Sequence, residues 1–158
     1  MIGAERAEPA ELEAAEEVGA GIAAAGAVLV CGGLGGVMEA ACRGARSKRG
    51  TTVGLLPGLD RHDANGWVDL AIPTGLGEAR NALIVRAAGA LVAVGGGWGT
   101  LSEIALARRL DRPVAGLGTW ELARDGRAVE GAVAFEDPRE AVRWALARAG
   151  HGEQDSTA

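Results

Sequence analysis

The sequence is poor in histidine and lysine, two residues that carry much enzyme chemistry. It has two histidines, and its single lysine is Lys48. A pyridoxal phosphate enzyme needs a lysine for its Schiff base, but Lys48 lies in a basic polar segment far from the glycine-rich turns. His62 falls in a polar loop, His151 falls in the last residues, and there is no G-x-S-x-G motif. These absences exclude a lysine-dependent decarboxylase and a Ser-His-Asp hydrolase.

Cysteines and aromatic residues are also scarce. Cys31 and Cys42 are too few for a disulfide framework, and their spacing matches no common zinc site. We expect both to be small buried side chains in a reducing cytoplasm. One Phe, no Tyr and four Trp leave little for stacking on nucleic-acid bases. The formal charge is −5 and, apart from a basic cluster at 43–49, the arginines are dispersed, so no nucleic-acid partner is expected.

One uncharged stretch, Val18 to Met38, is long enough on paper to cross a membrane. The glycines at 32–36 would interrupt such a helix at the place where it must stay closed. The start of the chain is acidic, whereas a secretion signal begins with basic residues. The sequence therefore predicts a cytoplasmic protein with no membrane partner.

The rest of the sequence alternates short apolar runs with helix-forming segments. Its 158 residues fit one domain. Such alternation is typical of parallel βαβ units with right-handed crossovers. We predict an α/β fold over residues 1–150, a single Rossmann-like, doubly wound, mainly parallel sheet flanked by helices, with 151–158 as a disordered tail. Strands are expected at Met1 to Ala4, Ala27 to Cys31, Thr51 to Leu56, Trp67 to Ile72, Ala90 to Val94, Val114 to Leu117 and Ala132 to Ala134; helices at Glu8 to Ala25, Val37 to Ser47, Thr74 to about Ala88, from Thr100 onward and at Asp137 to Ala149; and loop at Glu121 to Gly131.

A glycine-rich turn at Gly95–Gly99, the second glycine turn, joins an apolar strand to a helix start. Glycine lets the backbone approach a ligand closely, and the first amides of a helix point outward unpaired. Such a turn is suited to phosphate. Trp98 could stack on a base or pterin, or pack on a neighbouring helix or subunit. We predict ligand binding by Gly96, Gly97, Trp98, Gly99 and Thr100.

The first glycine turn, Gly32–Gly36, has the same arrangement of strand, glycines and helix. Parallel strands would bring both turns to one edge of the sheet, where they would enclose a crevice. The turn lacks the G-x-G-x-x-G spacing and the G-K-[ST] of a P-loop, so close packing of helix on strand is an alternative explanation. The ligand-binding residues predicted here are Gly32, Gly33, Gly35 and Gly36.

Arg80 and Glu103 are the two charged residues that we place at this crevice. Arg80 lies near a helix start and could bind a phosphate or carboxylate with its guanidinium, unless it is an exposed helix arginine. Glu103 follows the second glycine turn, but Thr100-x-x-Glu103 is also a capping box, which would close two backbone donors. Thr74, Gly75 and Asn81, near Arg80 in the sequence, complete the predicted ligand site.

The segment Gly96-Gly-Trp-Gly-Thr-Leu-Ser-Glu103 resembles the G-G-x-G-T-x-x-E core of the LONELY GUY (LOG) superfamily, whose members often carry a lysine decarboxylase label. The first glycine turn also resembles that of the family, and the likeness covers about Ala20 to Val114. LOG proteins are phosphoribohydrolases that cut the N-glycosidic bond of nucleoside 5′-monophosphates. The resemblance implies catalysis by Arg80 and Glu103, with no cofactor.

Some positions depart from the LOG pattern. Gly95 stands where the family has proline, and Asn81 where it has lysine. With T-G-L-G-E-A-R-N, they resemble more closely a small sister branch that includes the molybdenum cofactor carrier proteins. This branch implies an oligomer, a homodimer or homotetramer, that binds a phosphorylated pterin without turnover. The presence of both Arg80 and Glu103 favours a protein that binds a phosphate-bearing, nucleotide-like ligand and hydrolyses its N-glycosidic bond, with a molybdenum cofactor carrier as the alternative. A DNA-processing protein is a third alternative that the acidic charge disfavours.

Overall fold

The computed structural model describes residues 1–150, in which strands and helices alternate along the chain. The predicted tail at 151–158 lies outside the described residues. The strands are Ile2–Gly3 (β1), Leu29–Cys31 (β2), Thr52–Leu56 (β3), Leu70–Pro73 (β4), Leu91–Val94 (β5), Val114–Leu117 (β6), Leu122–Arg124 (β7), Arg127–Val129 (β8) and Val133–Phe135 (β9). The α-helices are Pro9–Ala24 (α1), Val37–Ser47 (α2), Asn81–Ala87 (α3), Trp98–Arg109 (α4) and Pro138–Ala149 (α5).

The parallel strands form two groups that meet at β1. One group has the order β1-β5-β6-β9 and the other β2-β3-β4, and the pairs within both groups are parallel. The amino nitrogen of Met1 donates a hydrogen bond to the carbonyl of Val30 at 2.9 Å, which joins β1 to β2. The strand order is therefore β4-β3-β2-β1-β5-β6-β9. The chain runs outward from β1 in one direction and from β5 in the other, so the predicted doubly wound α/β fold is confirmed.

Each face of the sheet carries its own core. On one face α1, α2 and α5 bury a cluster that includes Val18, Ala41 and Val142. On the other face α3 and α4 bury a cluster around Ile84 and Ile104. The first core relies on small residues, because a side chain at Gly19 would run into the backbone of Ala41 and keep α1 and α2 apart.

Several of the predicted elements differ in the structure. The strand predicted at Trp67 to Ile72 is Leu70–Pro73, and the helix predicted from Thr100 begins at Trp98. The prediction of a loop at Glu121 to Gly131 was wrong, since β7 and β8 form an antiparallel hairpin there. Asp125 and Gly126 make its turn with φ of 53° and 74°, the left-handed angles that an Asp-Gly hairpin turn requires. The predicted helix from Thr74 to Ala88 is shorter, because a 3-10 turn at Gly77–Arg80 precedes α3.

Among residues 1–150, no helix is both long enough and apolar enough to cross a membrane.

Candidate active site at the crevice

The two glycine turns lie at the same edge of the sheet, as predicted, because they follow the carboxyl ends of the parallel strands β2 and β5. The winding of the sheet reverses between β1 and β5, and in open α/β sheets ligands bind at the carboxyl end of the strands at such a point. A cavity of about 190 Å³, the crevice, lies here. Besides the residues at 1–5 and Met38, its lining consists of predicted site residues, namely Gly32, Arg80, Asn81, Gly97, Gly99, Thr100 and Glu103.

The second glycine turn presents unpaired backbone amides. α4 begins at Trp98, with Gly97 as its N-cap. Within the described chain, the amides from Gly96 to Thr100 donate to no protein acceptor. The next amide, that of Leu101, donates to the carbonyl of Gly97. Unpaired amides at a helix N-terminus carry the positive end of the helix dipole. This turn can therefore hold an anion.

Arg80 is a buried charged residue with an unsatisfied hydrogen-bond donor. It is only 7% exposed, so the alternative of an exposed helix arginine is wrong. Among residues 1–150, its Nε is the only buried side-chain nitrogen or oxygen without a hydrogen-bond partner. Burial lowers the pKa of Arg80, while the Glu103 carboxylate acts in the opposite direction. A buried charged donor without a partner is costly, and a bound anion would remove that cost.

Glu103 lies on the same wall and is 6% exposed. The capping-box explanation was wrong, because the helix starts at Trp98 and places Thr100 and Glu103 inside it rather than at its cap. Burial raises the pKa of Glu103 to about 7, although the Arg80 guanidinium acts in the opposite direction. A carboxyl group with a pKa near neutrality can both donate and accept a proton at neutral pH.

The first glycine turn is packed rather than open. Gly36 has a φ of 63°, and a Cβ there would run into the backbone of Ala4 and Glu5. The close-packing alternative therefore describes Gly36. At Gly32 a Cβ would lie 2.5 Å from both terminal nitrogens of Arg80. The absence of a side chain at Gly32 thus leaves room for the guanidinium.

A family model matches this arrangement over most of the chain. The model is that of the SLOG cluster4 family, and it matches residues 1–142. The chain belongs to the SLOG cluster4 family. An uncharacterized protein from Archaeoglobus fulgidus is 42% identical over 146 residues, which are 92% of each chain.

Solved structures place this SLOG chain near proteins that bind the molybdenum cofactor. The molybdenum cofactor binding protein of Rippkaea orientalis is 35% identical, with a TM-score of 0.80 over 90% of each chain. The molybdenum cofactor carrier protein of Chlamydomonas reinhardtii is 37% identical, with a TM-score of 0.78 over 92% of this chain and 93% of that one. The resemblance to LOG-like proteins and to the carrier branch is confirmed.

Several predicted site residues of this SLOG chain lie outside the lining of the crevice. Thr74 donates from Oγ1 to the carbonyl of Leu56 at 2.7 Å, and the amide of Gly75 donates to Gly58, so both fix the loop after β4. In the two glycine turns, the predicted site residues that do not line the crevice are Gly33, Gly35, Gly36, Gly96 and Trp98. Ligand contact by these residues stays a prediction.

Trp98 is 78% exposed and lies beside a tryptophan that the sequence analysis missed. The ring centroids of Trp98 and Trp120 are 5.1 Å apart with the planes tilted by 37°. Trp98 therefore packs on another side chain, as one of its two predicted roles required. The packing partner is in the segment after β6, whereas a neighbouring helix or subunit was expected. Trp120 could not be linked to the turn from the sequence, because the residues are distant along the chain.

Three polar side chains that contact the glycine turns were also missed. Asn65 donates to the carbonyls of Gly33 and Leu34, and Thr119 donates to that of Gly95. The third donor is the indole nitrogen of Trp120. Position gives a signal that could have found Asn65 and Thr119, since each follows a strand adjacent in the sheet to the strand that precedes the turn it contacts.

Proposed function

We propose that this protein binds a phosphorylated pterin of the molybdenum cofactor type, as a carrier or binding protein. The observation that carries the proposal is the buried, unpartnered guanidinium of Arg80 at a cavity edged by free amides. Guanidinium and helix-start amides are both donors that suit phosphate. The relatives in Rippkaea orientalis and Chlamydomonas reinhardtii, by their names, bind or carry this cofactor, which supports a pterin as the phosphate-bearing group.

In this proposal each part of the crevice has one task. Arg80 pairs with the phosphate and thereby gains the partner that the protein does not supply. The amides of Gly97, Gly99 and Thr100 bind its remaining oxygens, because these residues line the same cavity and their amides have no acceptor in the described chain. Asn81, which also lines it, offers a side-chain amide for polar groups of the ligand.

The proposal is tested with molybdenum cofactor released from a purified molybdoenzyme. Protein and cofactor are mixed, separated by gel filtration, and the pterin that elutes with the protein is measured by fluorescence. Arg80→Ala is expected to weaken binding at least tenfold, which is a loss of about 1.4 kcal/mol. Arg86→Ala is the matched control, because Arg86 is an exposed arginine on α3. Equal binding by wild type and Arg80→Ala would contradict the proposal, as would no binding by wild type.

A second candidate function is hydrolysis of the N-glycosidic bond of nucleoside 5′-monophosphates. The pKa of about 7 for buried Glu103, at the same cavity as Arg80, favours it. In that reaction Arg80 holds the 5′-phosphate and Glu103 activates water, which adds to the sugar as the base leaves with a proton. The products are the free base and ribose 5-phosphate.

Hydrolysis is tested by incubating the protein with a panel of nucleoside 5′-monophosphates and separating free base by chromatography. Release of base that Glu103→Gln abolishes supports the hydrolase. If every nucleotide stays intact while cofactor binding depends on Arg80, the carrier function is supported instead. No dedicated cofactor enters the hydrolase reaction.

We also propose that the protein is a homodimer or homotetramer. On β4, Leu70 is 54% exposed and Ile72 is 39% exposed, and Leu83 on α3 is 38% exposed. Ile72 pairs with Leu55, which packs on the α3 and α4 core, so the exposed residues of β4 belong to that face of the sheet. The seven residues of α3 leave this face uncovered, and a second copy would bury it. Light scattering checks the proposal, since a molar mass of 15.9 kDa would contradict it.

The remaining partner and location proposals rest on composition. With a formal charge of −5 the protein is proposed to bind small molecules and neither nucleic acid nor membranes. The low cysteine content supports a location in the cytoplasm. Fractionation of cells that make the protein checks the location.

A further inference from the structure

The carbonyl groups of the second glycine turn are held from outside the crevice by the segment that follows β6. Thr119 Oγ1 donates to the carbonyl of Gly95 at 2.6 Å. Trp120 Nε1 donates to the carbonyl of Gly97 at 3.2 Å. Neither Thr119 nor Trp120 lines the crevice. The two side chains thus act on the turn from behind the surface that a ligand would meet.

Fixing a carbonyl also fixes the direction of the next amide. In a trans peptide unit the C=O and N–H groups lie in one plane and point in opposite directions. Every peptide bond within residues 1–150 is trans. The carbonyl of Gly95 shares its unit with the amide of Gly96, and the carbonyl of Gly97 with the amide of Trp98. These two amides therefore point away from Thr119 and Trp120, and neither has a protein acceptor in the described chain.

The side-chain hydrogen bonds add to a few backbone bonds that hold the turn. The amide of Gly95 donates to the carbonyl of Leu117 at 2.9 Å, and the carbonyl of Gly97 also accepts from the amide of Leu101 at 3.0 Å. Gly95 and Gly96 have φ of 52° and 119°, angles that glycine adopts without steric cost. A Cβ at Gly97 would meet no atom within 4 Å, so packing does not restrain that residue. Thr119 and Trp120 add side-chain restraints at the carbonyls of Gly95 and Gly97.

The first glycine turn has the same device. Asn65 Nδ2 donates to the carbonyls of Gly33 and Leu34 at 3.2 and 2.8 Å, and the backbone amide of Asn65 donates to Gly33 at 2.9 Å. Asn65 comes from the connection that follows β3, the neighbour of β2. Both turns are therefore fixed through their carbonyls by a side chain from the next strand outward.

We infer that Thr119 and Trp120 are positioning residues that hold the second glycine turn, whose Gly97 and Gly99 line the crevice, in its anion-binding conformation before the anion arrives. The inference rests on the proposed function for the identity of the anion as phosphate. Oriented donors need no rearrangement when the ligand binds, and this lowers the entropic cost of binding. Arg80 supplies the independent evidence that the crevice takes an anion. Its side chain is charged, only 7% of the residue is exposed, and its Nε has no hydrogen-bond partner.

The test uses a matched pair of substitutions and inorganic pyrophosphate as the probe. Thr119→Val removes the hydroxyl donor and keeps the shape of the side chain, whereas Thr119→Ser keeps the donor. Calorimetric titration is expected to give at least fivefold weaker binding for Thr119→Val and binding within twofold of wild type for Thr119→Ser. Trp120→Phe removes the second donor, keeps an aromatic ring, and should also weaken binding. Equal affinity of Thr119→Val and Thr119→Ser would overturn the inference.

A second readout works without any ligand and separates this inference from the proposed function. In ¹⁵N NMR spectra of the free protein, Thr119→Val should shift or broaden the amide resonance of Gly96, while Thr119→Ser should not. Unchanged resonances in Thr119→Val would overturn the inference even if phosphate binds. If wild type fails to bind pyrophosphate, the phosphate proposal fails, and the amide resonances still decide the role of Thr119. Should Thr119→Val not fold, Trp120→Phe is judged by the same spectra at the Trp98 amide.

Discussion

The two glycine turns look alike in the sequence and have different tasks in the structure. In the first turn Gly36 packs on the backbone of Ala4 and Glu5, and the amide of Val37 is already bonded to the Ala4 carbonyl. In the second turn Gly97 meets no neighbour and lines the crevice. Glycine thus permits close packing at Gly36 and leaves open space at Gly97. The comparison teaches that glycine turns alike in sequence can serve packing in one place and access to a crevice in the other.

The sharpest way to break this comparison is to add a methyl group to each turn. Gly36→Ala is expected to lower the free energy of unfolding by about 3 to 5 kcal/mol, because its φ of 63° and the nearby β1 backbone both oppose a side chain. Gly97→Ala, with a φ of −95°, should change it by less than about 1 kcal/mol. Urea unfolding measures both effects.

Ligand binding should separate the same pair in the opposite sense. The methyl group of Gly97→Ala would project into open space at the crevice, so pyrophosphate binding is expected to weaken about tenfold. If Gly36→Ala proved as stable as wild type, or Gly97→Ala unfolded more easily, the assignment of packing to one turn and binding to the other would be reversed.

The helix after each glycine turn carries a glutamate, Glu39 on α2 and Glu103 on α4, and the stability of the protein at different pH should distinguish the two. Burial raises the pKa of Glu103 to about 7 from an ordinary value of 4.5, so ionising it opposes the folded state. This penalty is absent below about pH 4.5, grows as the pH rises to about 7, and is fully present above that. Glu103→Gln should therefore exceed wild type in stability at pH 8 by on the order of 2 to 3 kcal/mol, and the difference should vanish near pH 4.

The control for this measurement is Glu39→Gln. Glu39 lies on α2 after the first glycine turn and is partly exposed. Its substitution removes one carboxylate at a partly exposed position and thus controls for the change in net charge alone. A difference between Glu103→Gln and wild type that stays constant from pH 4 to 8 would show that the Glu103 carboxyl is not held in its neutral form by burial.

The smallest expected effect concerns Gly32, the one residue of the first turn that lines the crevice. A methyl group there would displace the terminal nitrogens of Arg80, which lie 2.5 Å from the Cβ position. Because those atoms end a flexible side chain, Gly32→Ala should cost less than about 1 kcal/mol of stability. Pyrophosphate binding should fall about fivefold to tenfold, no further than in Arg80→Ala. Unchanged binding would mean that the guanidinium acts from elsewhere.

Much of the fold could be predicted because its signals are local. The apolar run at Leu91–Val94 and the proline after Asp137 mark a strand and a helix start within a few residues of themselves. The hairpin at β7 and β8 was missed although Asp125-Gly126 is a local turn signal. In this case the information was present in the sequence and was not used.

The site was harder to predict, because its evidence depends on contacts between distant residues. Spacing alone gave capping as an explanation for Glu103 and exposure as one for Arg80, and only burial of both residues decided against them. The hydrogen bonds from Asn65 and Thr119 to the turns cross 24 to 32 residues of chain. No periodicity or motif in a single sequence reports such pairs.

The sequence by itself determined the α/β fold, the two glycine turns and the two charged residues that belong to the site, because apolar periodicity, glycine and motif spacing are properties of neighbouring residues. The tertiary structure alone decided which turn supplies more of the crevice lining, why Gly32 is a glycine and that Arg80 Nε has no partner. These properties depend on which residues the strand order brings together around the crevice. A buried charge becomes evidence for a ligand only when every neighbour that could pair with it is known.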